Sequence, residues 1–437
     1  MIMSHAQPSL TRTGTGNDRR APESPIRAPH THPAFSREDV SDQVTVIGAG
    51  PAGLVCAIAL ARAGRRVLVR EWHHNVGMRF HGDFQGLENW SGETDVLDDL
   101  RAAGIEPTFD HHGVTRGTVY DSRGSHYQVQ SARPLFYLVR RGSDEGCLDH
   151  ALLRHAIAAG VEVRFEDRAS DAEGNAVLAI GPRRADIIAV GYVFETHMAD
   201  GSWLVLDERL APRGYAYLLI HAGRGTLASC MLKGFKQQAV YLERTVAFLR
   251  SQLGLTMRAA KPFGGFGNFR IPRSAIQGGH PVIGEQAGFQ DALAGFGMRY
   301  AIRSGLLAAR SILEARDYSS LWREELRPLL RAGMVNRFIV NLIGERGWPA
   351  VEKLLTHGDA RIALQRMYRP SIASRILFPI AQLHHLGTSR DPSCDHIDCD
   401  CVWCQHQAEH KPPIADRNSR GGSTPTGSTR ADRGEHL

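Results

Sequence analysis

The chain has 437 residues, of which 42% are hydrophobic and 22% charged, enough apolar material for two or three domains at the usual ~100–200 residues each. That excludes a wholly disordered protein and a mini-protein. Only five of the 52 basic residues are Lys, and the formal net charge of +6 has no Lys/Arg block behind it, so nucleic acid is not expected as a partner.

Residues 1–41 are rich in Pro, Arg, His and Ser and lack an apolar core that would mark a secretory signal. They read as a disordered tail, and a reducing cytoplasm is the expected compartment. Val44-Thr45-Val46-Ile47 follows as a short β-branched run, then Gly48-Ala49-Gly50-Pro51-Ala52-Gly53, then the apolar stretch Leu54 to Ala61. This is G-x-G-x-x-G between a strand and a helix, the context in which glycines let a backbone approach a pyrophosphate at a helix N-terminus. Arg66 to Arg70 reads as a second strand, and Glu71 at its end is placed to accept from a ribose diol. A glycine turn that serves only helix–sheet packing is the bland alternative. The glycines and Pro51 interrupt the most apolar stretch of the chain, so no transmembrane helix is expected.

Further along, Tyr137-Leu138-Val139 ends in Arg140-Arg141 and leads to Cys147-Leu148 and Leu152-Leu153, a strand followed by a helix. The segments Val161 to Phe165 and Ala176 to Arg184 follow, the latter reading as a strand end. From about Gly191 to Gly267, apolar runs at Tyr192–Phe194, Trp203–Leu206, Tyr215–Ile220 and Thr226–Leu232 alternate with glycine turns, as in an antiparallel sheet. Phe263-Gly264-Gly265-Phe266-Gly267-Asn268-Phe269 interleaves aromatics with glycines and is suited to wall an apolar cavity or to form a lid.

A second glycine signature then appears. Pro281-Val282-Ile283-Gly284-Glu285 leads through Gly295-Phe296-Gly297-Met298 into a helix over Arg299 to Ala309 that contains Ser304-Gly305. Here the chain resembles the flavoprotein superfamily of p-hydroxybenzoate hydroxylase type, most closely its geranylgeranyl reductase branch. The resemblance covers about residues 43–310. It implies an α/β fold: a Rossmann-like FAD-binding domain with an antiparallel-sheet substrate domain and a C-terminal helical extension. It further implies FAD held by Gly48, Gly50, Pro51, Ala52, Gly53 and Glu71, by Gly284 and Glu285 (in place of the family's Asp) toward the ribityl chain, and by Gly295, Gly297 and Met298 at the flavin. Either Arg141 or Arg140 would touch the cofactor, the alternative being a surface Arg pair at a strand end. Gly214-Tyr215-Ala216-Tyr217 stands where the branch has its Gly-Tyr-x-Trp segment. The Asp-Gly motif that serves FAD and NAD(P)H in aromatic hydroxylases is missing after Val161–Phe165.

Amphipathic helices are expected over Leu321–Leu330, Phe338–Ile343 and Pro349–Leu355, with an apolar run from Ile372 to Leu383. They would form a helical cap or a surface that dips into a bilayer. Cys394, His396, Cys399, Cys401, Cys404 and His406 cluster beyond them. Cys394, Cys399, Cys401 and Cys404 are candidate zinc ligands, with a Cys-x-x-Cys thiol relay and unpartnered tail thiols as alternatives. The Gly/Ser/Pro-rich end reads as a second disordered tail.

The expected organisation is a tail (1–41), the first part of the FAD domain (42–190), the substrate sheet (191–277), the second part of the FAD domain (278–316), the helical extension (317–390), the Cys/His cluster (391–407) and a tail (408–437). The expected function is an FAD-dependent oxidoreductase acting by hydride transfer on a small apolar, isoprenoid- or lipid-like substrate. The alternatives are an NAD(P)H-dependent flavin monooxygenase or halogenase acting on an aromatic compound, and a non-enzymatic FAD binder. The missing Asp-Gly favours the first and leaves the electron donor open, NAD(P)H being one candidate. Tyr215, Tyr217 and His221 are the proton donors to test. Nothing in the sequence sets the oligomeric state.

Overall fold

The structure, a computed structural model, describes residues 43–169 and 174–388. Both tails and the Cys394–Cys404 cluster lie outside them. Strand Gln43–Ile47 pairs in parallel with Arg66–Arg70 on one side and Asn175–Leu178 on the other, and Glu162–Arg164 extends the sheet beyond Arg66–Arg70. The crossover helix Pro51–Arg62 starts with Pro in its first turn, where the missing N–H costs nothing. It buries Leu54, Val55, Ile58 and Leu60 against the sheet. Val282 bridges Leu178 in parallel, which brings the second glycine signature back to the edge of the same sheet. Helix Met298–Leu313 crosses Pro51–Arg62 at Gly305, where a Cβ would overlap the Ala52 carbonyl oxygen.

A seven-stranded sheet faces this unit, in the order Arg258–Gly267, Ile187–Glu195, Arg224–Met231, Tyr215–His221, Gly201–Leu206, Arg116–Asp121, His126–Gln130. Its pairings are antiparallel except Gly201–Leu206 with Arg116–Asp121. The sheet therefore starts before residue 191 and recruits two strands from the segment expected in the FAD domain. It is also interrupted by helix Gln238–Leu253. The Phe/Gly-rich segment is the edge strand Arg258–Gly267, with no free lid; Pro262 sits on the edge, where its missing donor leaves no gap in a ladder. A three-stranded sheet of Phe84–Glu88, Phe136–Arg140 and His111–Val114 closes one side.

The helical layer comprises Tyr318–Glu325, Arg327–Ile343, Trp348–Thr356, Ala360–Tyr368 and Ile372–Thr388. The single helix expected over 321–330 is two helices, because Pro328 starts a new first turn after Leu326. Phe338–Ile343 is the end of that second helix. Among the described residues no helix is long and apolar enough to cross a membrane.

The last helix is anchored by His385, which is 7% exposed and packs on Phe269 at 4.9 Å between ring centroids, with Asp186 Oδ1 4.0 Å from its Nε2. Burial pushes the imidazole down to about 4. Arg184, Arg337 and Arg270 add to this, and Asp186 opposes it. Below the ordinary value of 6.5 the unfolded chain takes up a proton that the folded chain refuses, so stability falls as pH drops from 6.5 to 4, by about 3 kcal/mol in all. The melting temperature should therefore fall more steeply over that window in the wild type than in His385→Leu. Parallel profiles would contradict this assignment.

Candidate cofactor and substrate site

The first glycine motif is shaped by sterics at two positions and by nothing inside the protein at the third. Gly48 adopts φ +108° and donates to Arg70 O at 2.9 Å, and a Cβ there would overlap the Ala179 carbonyl oxygen. A Cβ on Gly53 would overlap the Gly48 carbonyl oxygen. Gly50, by contrast, has φ −77° and ψ 175°, open to any residue, and no atom lies within 4 Å of where its Cβ would be. Its bare face borders a cavity. The helix beginning there has neither a capping side chain nor an acidic residue in its first turn, so its partial positive charge faces that space. Glu71 is held at the rim: Oε2 accepts from the Ala49 N–H at 2.8 Å and Oε1 from the His73 N–H at 3.0 Å.

The second motif lines the same cavity. Gly284, at φ +59°, donates to Ser304 Oγ at 2.9 Å. Glu285 lies 3.5 Å from Arg79 Nη1. Burial raises its carboxyl pKa against the pull of the Arg79 and Arg141 guanidiniums. Asp291 shapes the following turn by accepting from the Ala294 N–H at 2.7 Å and the Leu293 N–H at 3.2 Å, and burial pushes its carboxyl up to about 6. The turn delivers Gly295, Gly297 and Met298 to the cavity wall, where the helix from Met298 also starts without a side-chain cap.

Of the two candidate arginines, Arg141 faces the cavity. Its guanidinium makes a bidentate pair with Asp149 at 2.8 Å through both Nε and Nη2 and lies 4.0 Å from the Phe80 ring centroid. Arg140 points elsewhere, to Asp110 Oδ2 at 2.7 Å and the Glu145 carbonyl at 2.8 Å. Arg79 and Asp149 were not legible as site residues. Arg79 sits in a loop without periodicity, and the only signal for Asp149 was an acid at the start of the helix after the arginine pair.

The far half of the cavity is walled by the seven-stranded sheet. Tyr215, Tyr217, Cys230, Phe263 and Phe266 line it, with Trp90, Phe136 and Phe296 on another side. Trp90 meets Phe296 edge-on at 4.8 Å between centroids. The Tyr215 hydroxyl donates to the Ala294 carbonyl, tying the sheet to the second motif. Burial lifts both phenols well above their ordinary pKa, so they stay protonated at neutral pH. His221 lies outside the cavity. It shares the face of Tyr215 and Tyr217 on the strand but is carried past the cavity's edge, where it pairs with Asp200 at 2.8 Å and stacks on His112. Altogether the cavity measures about 990 Å³, the upper end of the range for small-molecule sites. Among the described residues no group of three or more His, Cys, Asp or Glu is placed to hold a metal ion; the four candidate zinc cysteines fall outside those residues.

A family model for an NAD(P)-binding Rossmann-like domain matches residues 46–86. No curated protein sequence matches the chain. Among solved structures it is similar to a geranylgeranyl bacteriochlorophyll reductase-like protein from Thermoplasma acidophilum, at TM-score 0.58 and 17% identity over 79% of this chain and 98% of that one. It is also similar to the flavin-dependent brominase Bmp2 (TM-score 0.54, 15% identity, 79% and 99% covered). A mutant of 2-methyl-3-hydroxypyridine-5-carboxylic acid oxygenase matches at TM-score 0.52 and 17% identity, with 76% and 98% covered. The chain has the fold that these three structures share.

Proposed function

We propose that the chain is an FAD-dependent oxidoreductase acting on an apolar, isoprenoid- or lipid-like substrate. The observation that carries this reading is that one cavity joins both glycine motifs to an apolar wall. Gly50 is the test of fit, since neither backbone strain nor packing requires glycine there and a ligand approaching the helix start would. The N–H groups around Gly48 to Gly53 would hold the pyrophosphate, Glu71 a ribose, Glu285 the ribityl chain, and the Met298 helix start the flavin ring. Bound there, the flavin would supply two-electron transfer between an external donor, NAD(P)H being one candidate, and the substrate. The chain's own part is to seat the substrate on the ring-lined wall, keep water from it, and present the protonated phenol of Tyr217 to it, the Tyr215 hydroxyl being engaged by the Ala294 carbonyl.

A second reading, oxygenation or halogenation of an aromatic compound, draws on the Trp90, Phe136 and Phe296 rings, which would stack a planar substrate. Turnover with and without oxygen separates the two. Prenyl compounds should be consumed anaerobically once the flavin is reduced, while strict dependence of product formation on oxygen would favour the second reading.

A further inference from the structure

The last helix of the described chain, Ile372–Thr388, carries two stripes. Ser374, Phe378, Ala381 and His385 are buried, on the side packed against Arg327–Ile343. On the other side Ile372, Ile376, Ile380 and Leu383 are 76%, 68%, 54% and 70% exposed. Their spacing sets them in one ridge along the helix. Leu342, at the end of the neighbouring helix, is 72% exposed. Side chains of this kind gain about 1.5–3 kcal/mol each on full burial, and a contiguous patch of them marks an interaction surface.

Charge identifies the partner. Residues 327–388 hold nine Arg and Lys against only Glu345, Glu352 and Asp359, a net +6 that equals the formal charge of the whole chain. The rest of the protein is therefore balanced, and the excess sits in the four helices from Arg327 to Thr388, with Arg337 and Arg361 buried among them. A second copy of the same face would bring like charges together, which disfavours self-association. An anionic bilayer satisfies both features, taking the apolar ridge into the headgroup boundary and the exposed Arg375 on the same helix, with Arg327 and Arg331 close to it, toward the phosphates. The cavity reaches this layer as well, through Val340 and Asn341 on the helix that also carries the exposed Leu342.

We propose that the outer face of Ile372–Thr388, with Leu342, docks the protein peripherally on anionic membranes. This surface does not depend on the flavin reading, because its test needs no turnover. Full-length protein is co-sedimented with phosphatidylcholine vesicles with or without about 30% phosphatidylserine. The wild type should pellet with the anionic vesicles and at least ~10-fold less with phosphatidylcholine alone. The double substitution Ile376→Glu with Leu383→Glu should weaken anionic-vesicle binding by ~10-fold or more, and Leu342→Glu on the other helix should weaken it independently. Circular dichroism and melting temperature should hold in both, since these side chains face outward. The proposal is overturned if the wild type does not bind anionic vesicles, binds neutral ones equally, or is matched by both variants. It is overturned too if the wild type is a dimer in light scattering that the double substitution splits.

Discussion

Gly50→Leu is expected to abolish flavin retention while leaving the fold in place. Glycine at this position is required neither by its backbone, which has φ −77°, nor by packing, since nothing lies within 4 Å of the added Cβ. A leucine there projects into the cavity at the start of helix Pro51–Arg62 and covers the N–H groups that would meet a pyrophosphate. The cost to the apoprotein should stay below about 1 kcal/mol, the range of changes at a helix N-cap. The loss of FAD affinity should reach ~100-fold or more, about 2.8 kcal/mol. Gly53→Val makes the contrast, because its side chain would overlap the Gly48 carbonyl and should cost folding itself. Equilibrium dialysis of FAD, alongside thermal melts of the apoproteins, checks both. Unchanged affinity in Gly50→Leu would remove this helix start from the site.

The second large effect is on stability. Asp149, 1% exposed, takes both Nε and Nη2 of Arg141 and also accepts from the Gly142 N–H at 3.0 Å. In Asp149→Ala the guanidinium stays buried without its counter-ion, which costs about 3–5 kcal/mol, a large part of the ~5–15 kcal/mol typical of a folded domain. Replacing both partners with apolar residues, Arg141→Met with Asp149→Leu, should recover much of that loss, because the penalty lies in the orphaned charge more than in the missing pair. Urea unfolding measures both, and a loss below about 1 kcal/mol in Asp149→Ala would mean that water reaches the pair.

What could be read from the sequence followed from how local its causes are. The strand–turn–helix at Gln43–Arg62 is legible because its motif is local, with Gly53 answering to the Gly48 carbonyl a few residues away, and the strands from Tyr192 to Met231 because they are apolar runs separated by glycine turns. Strands Arg116–Asp121 and His126–Gln130 were not assigned to the large sheet, since Arg116–Asp121 joins it by pairing with Gly201–Leu206 and carries His126–Gln130 with it, and a parallel partner that distant leaves no mark on periodicity. The choice between Arg140 and Arg141 was open for a similar reason: it turns on Asp110 and Asp149, which only the tertiary fold brings to them. His221 shared the parity of Tyr215 and Tyr217, and parity names a face without saying where a cavity ends.

The most direct measurement is the flavin content of the purified full-length protein. A yellow protein that releases stoichiometric FAD on denaturation, and whose colour bleaches under dithionite, is the predicted result. A colourless protein that takes up no FAD on refolding would contradict it.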